Sequence, residues 1–266
     1  TVSDSLAIVS AQWKIESPQK GIIHKYVSIP RLYQVPQSIS LIEIDPGAGL
    51  KVGVTVSDKM RETSRMASEQ GAIAAINGSY FDMKRGNSVC FLKVDRQVVD
   101  TTTLGEFARR VTGAVSIRKG KMKIISWNRQ IEKQYKGKKG IVLASGPLML
   151  KDGRYYDWSL CEKDFIRTKH PRSAVALTKD GKILFITVDG RFPKYAGGVS
   201  IPELAHLIRI LGGKDAINLD GGGSSTLIVR NNEGGFDVVN RPSDGSERST
   251  GNAIFLVMRD PAVESK

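Results

Sequence analysis

The stretch Asn218-Leu219-Asp220-Gly221-Gly222-Gly223-Ser224-Ser225-Thr226 places a carboxylate, three glycines and three hydroxyls at one reversal of the chain. Three adjacent glycines cost backbone entropy on folding and bury nothing. They make sense where the backbone must take positive φ or approach another group closely. Successive N–H groups in such a turn form a concave donor cluster suited to phosphate or sulfate, and the hydroxyls of Ser224, Ser225 and Thr226 add donors at its mouth. Ile217 and Leu219 lead in, and Leu227 and Val229 leave, with the alternation of strands. The segment therefore reads as strand, tight turn, strand. A plain hairpin turn is the competing reading, but a plain turn needs one or two glycines, not three after an Asp.

Upstream of this turn, Leu204, Leu207, Ile208 and Leu211 recur at helical spacing, which predicts a helix over 201–211. Ser200 and Glu203 form a capping-box pattern before it, and Gly212-Gly213 ends it. Residues 173–178 and 182–188 flank Asp180-Gly181, the strongest short hairpin signal in the chain. Residues 38–44 and 50–56 alternate around Asp45-Pro46-Gly47 and read as a second hairpin. Asp58 is expected to cap a short helix to about Gln70, closed by Gly71, with a buried strand over 72–76 running into Asn77. Residues 89–94, 111–118, 121–126 and 252–258 continue the strand pattern. Strands dominate and no regular βαβ alternation appears. The expected class is α+β: one domain with a mixed, largely antiparallel sheet and a few packed helices. Residues 38–266 form the expected catalytic domain, with 1–37 an extension packed on it.

At 266 residues with 40% hydrophobic content, the chain is long enough to bury a full core. No apolar run approaches the ~20 residues that cross a bilayer. Residues 1–12 lack a basic region followed by an apolar stretch, so either a signal has been removed or none existed. The expected location is extracytoplasmic, with the signal or lipid anchor removed. Cys90 and Cys161 match no metal-ligand spacing. They read either as one disulfide or as two buried thiols. The net charge of +13 suits polyanions such as teichoic-type polymers or phosphorylated glycans. The densest basic run, from Lys133 to Lys139, reads as a solvated loop or helix end. It carries one aromatic and no nucleic-acid motif, so no nucleic acid partner is expected. Nothing in the sequence speaks to oligomeric state.

Further polar segments share the character of the Gly-rich turn. They are Ala75-Ile76-Asn77-Gly78-Ser79-Tyr80-Phe81-Asp82, Ser145-Gly146-Pro147, His170-Pro171-Arg172-Ser173, Val188-Asp189-Gly190-Arg191, and Pro242-Ser243-Asp244-Gly245-Ser246-Glu247-Arg248 followed by Asn252-Ala253. Their order resembles that of the phosphodiester glycosidases, the family of the N-acetylglucosamine-1-phosphodiester alpha-N-acetylglucosaminidases and their bacterial relatives. The resemblance spans roughly residues 40–260. It implies hydrolysis of the bond between a sugar's anomeric carbon and a phosphate that carries a second ester. Ser79 stands where a second glycine is usual, and Ser249 where proline often follows Glu-Arg. Neither departure removes an ionisable group, so they bear on substrate detail more than on activity.

Glycoside hydrolysis ordinarily uses two carboxyl groups. A phosphate leaving group is a weak base, so protonating it contributes little. Such a site mainly needs cationic or N–H donors for the phosphate and one carboxylate near the anomeric carbon. Arg172, Arg191 and Arg248 are the natural phosphate ligands, with the Gly221, Gly222 and Gly223 amides as a second clamp. Asp220 is the first choice for nucleophile or base, followed by Asp189, Asp82 and Asp244, with Glu247 also in view. Against this, Asp-Gly pairs are common in plain turns, and Asp82 can simply hold its own loop. Asn77 and Asn252 read either as ligands for sugar hydroxyls or as partners for buried backbone. His170 belongs to a matched motif, while His24 and His206 read as structural or exposed. No cofactor or metal is expected. The histidine spacing does not suit zinc, although several Asp residues leave room for calcium. The expected substrate is a sugar-1-phosphodiester or phosphorylated glycan. Two other readings stay open: a phosphodiesterase acting at phosphorus, and a non-catalytic binder of anionic glycans.

Overall fold

The computed structural model describes residues 1–259 other than Lys136 and Lys138. The fold is α+β, and every strand pairing among the described residues is antiparallel. An eight-stranded sheet carries Val35–Ile44, Ile183–Val188, Arg172–Thr178 and Gly213–Asn218 as consecutive neighbours. A five-stranded sheet sets Ala74–Asn77 between Leu227–Arg230 and Thr250–Met258, and another sets Gly113–Arg118 between Ile141–Ser145 and the edge strand Lys121–Ser126. Residues 1–37 supply the helix Val2–Val9 and the strands Lys14–Gln19 and Ile22–Leu32, which extend one edge of the large sheet.

The three sheets share one apolar core. Ile42, Phe185, Val175 and Ile217 of the large sheet meet Ile76, Leu227 and Ile254 of the second and Val115, Ile124 and Leu143 of the third. On its other face the large sheet buries Leu41, Leu184, Ile186 and Ala216 against Leu204, Leu207 and Ile208 of the helix Ile201–Ile210. Strands covered on both faces become continuous apolar runs, which is why Ile183–Val188 is buried along its whole length. That helix opens on the predicted Ser200/Glu203 capping box, a device that stabilises by about 1 kcal/mol.

Two local expectations are overturned. The strands around Asp45-Pro46-Gly47 exist but do not pair with each other. Val35–Ile44 already has Ile22–Leu32 and Ile183–Val188 on its two edges, so Leu50–Arg61 crosses to another sheet and pairs with Thr250–Met258. Asp45 Oδ1 accepts the Gly47 N–H at 2.8 Å and fixes this corner. The second correction concerns Asp58, whose side chain lies outside the described residues. Strand pairing continues to Arg61 opposite Thr250, so the helix begins only at Thr63, with Glu62 at its N-cap. The Asp180-Gly181 hairpin forms as predicted, with Ala176 opposite Leu184 and Leu177 opposite Ile183. The Lys133 to Lys139 run starts in the last turn of the helix Arg129–Gln134, and two of its lysines lie outside the described residues. Cys90 and Cys161 are both buried free thiols.

Candidate active site

Strand ends from two sheets converge on the Gly-rich turn. Gly213–Asn218 enters it from the eight-stranded sheet and Leu227–Arg230 leaves it in a five-stranded one. The turn therefore bridges two sheets and is not a hairpin loop. Asn77, at the end of its strand, holds both ends of this bridge. Its Nδ2 donates to the Asp220 carbonyl at 2.7 Å, while its Oδ1 accepts from Thr226 N–H at 3.1 Å and from Ser173 Oγ at 2.7 Å. Fully buried, Asn77 thus positions the loop. Asn252 Oδ1 accepts the Ser79 N–H at 2.8 Å. It packs so tightly on Gly78 that any Cβ there would collide with it.

Two glycines of the triplet make room for an arginine each, and the first makes room for the Pro171 carbonyl beside Arg172. A Cβ on Gly221 would stand 2.7 Å from the Pro171 carbonyl and 3.7 Å from Arg172 Cδ. At Gly222, which sits at φ +62, it would stand 3.0 Å from Arg191 Nη2. At Gly223 it would collide with the Arg248 guanidinium and the Asp244 carboxylate, themselves paired at 2.6 Å. Arg191 holds φ +67, a left-handed conformation that is unfavourable for a side chain of this size. The three arginines predicted from separate motifs therefore gather around one turn.

Their roles differ. The buried Arg172 donates through Nε to Val199 O at 3.2 Å and through Nη2 to Phe165 O and Thr168 O at 2.9 and 3.0 Å. Only its Nη1 lacks a partner among the described residues, and burial pushes the guanidinium down to about 10, still charged at neutral pH. Arg191 is exposed and touches Ser243 Oγ at 3.5 Å. The amide clamp is narrower than expected. Gly221 N–H donates to Asp220 Oδ1 at 3.0 Å and Gly222 N–H to Pro171 O at 2.9 Å. The Gly223 amide alone in the triplet forms no hydrogen bond among the described residues.

Burial raises the Asp220 carboxyl above its ordinary value, opposed by the nearby Ser224 hydroxyl, by Arg110, by the Gly221 N–H and by Arg248. The Ser224 Oγ nonetheless completes no hydrogen bond of good geometry, and the same is true of Ser225 Oγ, Thr226 Oγ1, Asn218 Oδ1 and Asn252 Nδ2. Five of the eight orphaned buried side-chain atoms among the described residues thus lie at this turn or beside it. Each such group costs about 1–3 kcal/mol. A cluster of them marks a place built for polar atoms the protein does not supply.

Sequence reasoning missed the cationic wall next to Asp220. Arg110, just past the helix Leu104–Arg109, lies 3.5 Å from the centroid of the Tyr80 ring. Glu106 holds it through two contacts of 2.6 and 3.1 Å. Phe165 packs edge-on to Tyr80 and carries Arg172 over its face at 4.7 Å. Burial, Arg172 and Arg191 all push the His170 imidazole down, which places His170 at the cationic margin of the site.

Of the other predicted carboxylates, Asp244 lies against Gly223 with Arg248, whereas Asp189, Asp82 and Glu247 are engaged by backbone and side-chain donors. Asp189 is buried and accepts from Ser38 Oγ at 2.8 Å, Arg241 N–H at 3.0 Å, and Asn240 Nδ2 and Tyr195 OH at 3.3 Å. It ties the base of the 240–248 loop to the large sheet. Asp82 Oδ1 accepts from its own loop, from Lys84 N–H at 2.7 Å and Arg85 N–H at 3.2 Å. These amides hold it below the usual carboxylate range. Glu247 accepts the Ser64 N–H at 3.0 Å. His24 lies 3.6 Å from Glu16. His206 bonds Tyr33 and Ser5 at the rim of a cavity of about 800 Å³. That cavity contains no residue of the Gly-rich turn, so its size does not make it the reactive site.

A family model described as phosphodiester glycosidase matches residues 70–257, a span that holds every residue of the turn and its arginines. The SPbeta prophage-derived uncharacterized protein YomE of Bacillus subtilis is 30% identical over 207 residues. The match covers 76% of this chain but only 30% of that protein. Among solved structures, the zebrafish N-acetylglucosamine-1-phosphodiester alpha-N-acetylglucosaminidase catalytic domain, auto-inhibited by its pro-peptide, has a TM-score of 0.70 at 19% identity, covering 92% of this chain and 87% of that one. A hypothetical protein from Synechocystis has a TM-score of 0.68 at 14% identity, covering 93% and 64%. At these identities the structural likenesses establish the fold.

Proposed function

The chain belongs to the phosphodiester glycosidase family, and from that premise we propose that it hydrolyses the bond between a sugar's anomeric carbon and a phosphate esterified to a second alcohol. One observation carries the reading: Arg191 and Arg248 sit against two of three consecutive glycines beside a half-buried carboxylate whose surroundings hold unpaired donors. A diester phosphate seated there accepts from Arg191, Arg248 and the Gly223 amide. Departing from carbon, it gains negative charge where cations are already fixed, which is the electrostatic stabilisation that lowers such barriers most. Asp220 supplies the carboxylate facing the anomeric carbon, as attacking group or as base for water.

Attack at phosphorus is the second reading. It ordinarily relies on a pair of metal ions, and no group of three or more His, Cys, Asp or Glu among the described residues is arranged to hold a metal. A panel of sugar-1-phosphodiesters with different sugars and second esters tests the proposal through its products. Free sugar and an intact phosphomonoester are expected, with the solvent oxygen carried by the sugar. Release of a sugar-1-phosphate and the free alcohol, or no turnover across the panel, would contradict it.

A further inference from the structure

The third sheet carries a concentration of charge that the reaction does not use. Strands Gly113–Arg118 and Lys121–Ser126 bury Val115, Ile117, Met122 and Ile124 on one face. The opposite face presents Ser116, Arg118, Lys121, Lys123 and Ile125. With Lys119 and Tyr135 these residues line a concavity of about 540 Å³. The Tyr135 ring forms one wall, packed against Trp127 and Phe91 at 5.3 and 5.7 Å between centroids.

Three features set this face apart from an ordinary lysine-rich surface. Its four cations are exposed, and none enters an ion pair among the described residues, where twelve other pairs form. Arg118 stands directly opposite Lys121 across the ladder, an arrangement of like charges that destabilises a sheet. Lys119 occupies the first position of the two-residue turn at φ +49, where Asn or Asp is the favoured residue. Lysines on an edge strand alone would be explained as protection against strand addition. That explanation covers neither Arg118 on the inner strand nor Lys119 in the turn.

We propose that this groove is a docking site for a polymer of sugar phosphodiesters, engaging phosphates several repeats away from the bond being cleaved. The proposal rests on the function argued above and deepens it by naming a polymeric substrate. Arg110 of the active site and Arg118 of the groove are eight residues apart along one extended segment, a separation of at most about 28 Å. A chain of a few repeats is therefore long enough to reach both. Single-stranded nucleic acid is the less suitable polyanion, because its binding surfaces stack successive bases on several aromatic rings and this groove offers only Tyr135.

The test uses the whole protein with Lys121→Glu/Lys123→Glu and, as the milder change, Lys121→Gln/Lys123→Gln. Both positions are exposed, and the first variant places a carboxylate opposite Arg118, so thermal melting is expected to change little. The probe is a fluorescently labelled polymer of N-acetylglucosamine-1-phosphate repeats followed by anisotropy, beside hydrolysis of one small soluble diester. The glutamate variant is expected to bind the polymer roughly tenfold more weakly at low salt, with the difference fading near roughly 0.5 M salt as screening shortens. The glutamine variant should fall between, and small-diester hydrolysis should be unchanged in both. Unchanged polymer affinity in the glutamate variant, or tighter groove-dependent binding of a single-stranded oligonucleotide of equal charge, would overturn the proposal. If the unaltered protein fails to hydrolyse any diester, the functional reading falls, while the anisotropy still judges the groove.

Discussion

Asp220 and Asp189 both lie just past strand ends, Asp189 buried and Asp220 half-buried, and burial raises both carboxyls above the ordinary value. Their surroundings are opposite in kind. Asp189 is saturated by donors from four residues and ties the 240–248 loop to the sheet. Asp220 accepts one well-formed hydrogen bond, from Gly221, and lies among hydroxyls that complete none. A buried charge with its full set of partners is scaffold. One left short of partners beside fixed cations has capacity reserved for a ligand.

The largest effect that separates the two is the loss of turnover in Asp220→Asn, expected at roughly 3–6 kcal/mol of transition-state stabilisation. The same variant should be the more stable protein. A carboxyl with a raised folded-state pKa costs stability in its charged form, and that cost vanishes as pH falls toward the unfolded value near 3.8. The stability gap between Asp220→Asn and the unaltered protein should therefore be widest at neutral pH and close in acid, as read by denaturant titration. A gap that widened on acidification would break the comparison.

Gly223→Ala comes next. A Cβ there drives into the Arg248–Asp244 pair, and losing one charged contact to phosphate should lower kcat/KM by about 1.5–3 kcal/mol. An alanine variant with unaltered kinetics would show that the pair does not need to sit against the loop. For Asp189→Asn the expectation moves from chemistry to stability: an amide cannot accept from all four partners, so unfolding should become easier by about 1–3 kcal/mol. Its kcat should fall far less than that of Asp220→Asn. Asp82→Ala should do least, since Asp82 serves its own exposed loop. A collapse of turnover in that variant would move Asp82 into the chemistry.

The parts of this site carried by adjacent residues were readable from the chain alone. The three glycines after Asp220, the Ser200/Glu203 cap and the Asp180-Gly181 turn each encode their geometry locally. Arg191 and Arg248 were recognisable through the motifs around them. What escaped depends on distant partners. Arg110 and Tyr80 meet through a cation–ring contact that no periodicity signals. Arg172 looked like a phosphate ligand because a sequence does not show that three carbonyls already occupy its guanidinium. Asp189-Gly190 reads like any turn, and only packing reveals four donors converging on it. The corner at Asp45 escapes for a related reason, since local alternation cannot tell that both edges of the preceding strand are already taken.

The central claim is that the turn stabilises a departing phosphate while the anomeric carbon is attacked, and hydrolysis in heavy-oxygen water tests it most directly. With an active sugar-1-phosphodiester, mass spectrometry of both products locates the solvent oxygen. The account predicts the label in the sugar's anomeric hydroxyl and none in the phosphomonoester. Label in the phosphate would mean attack at phosphorus and would contradict it.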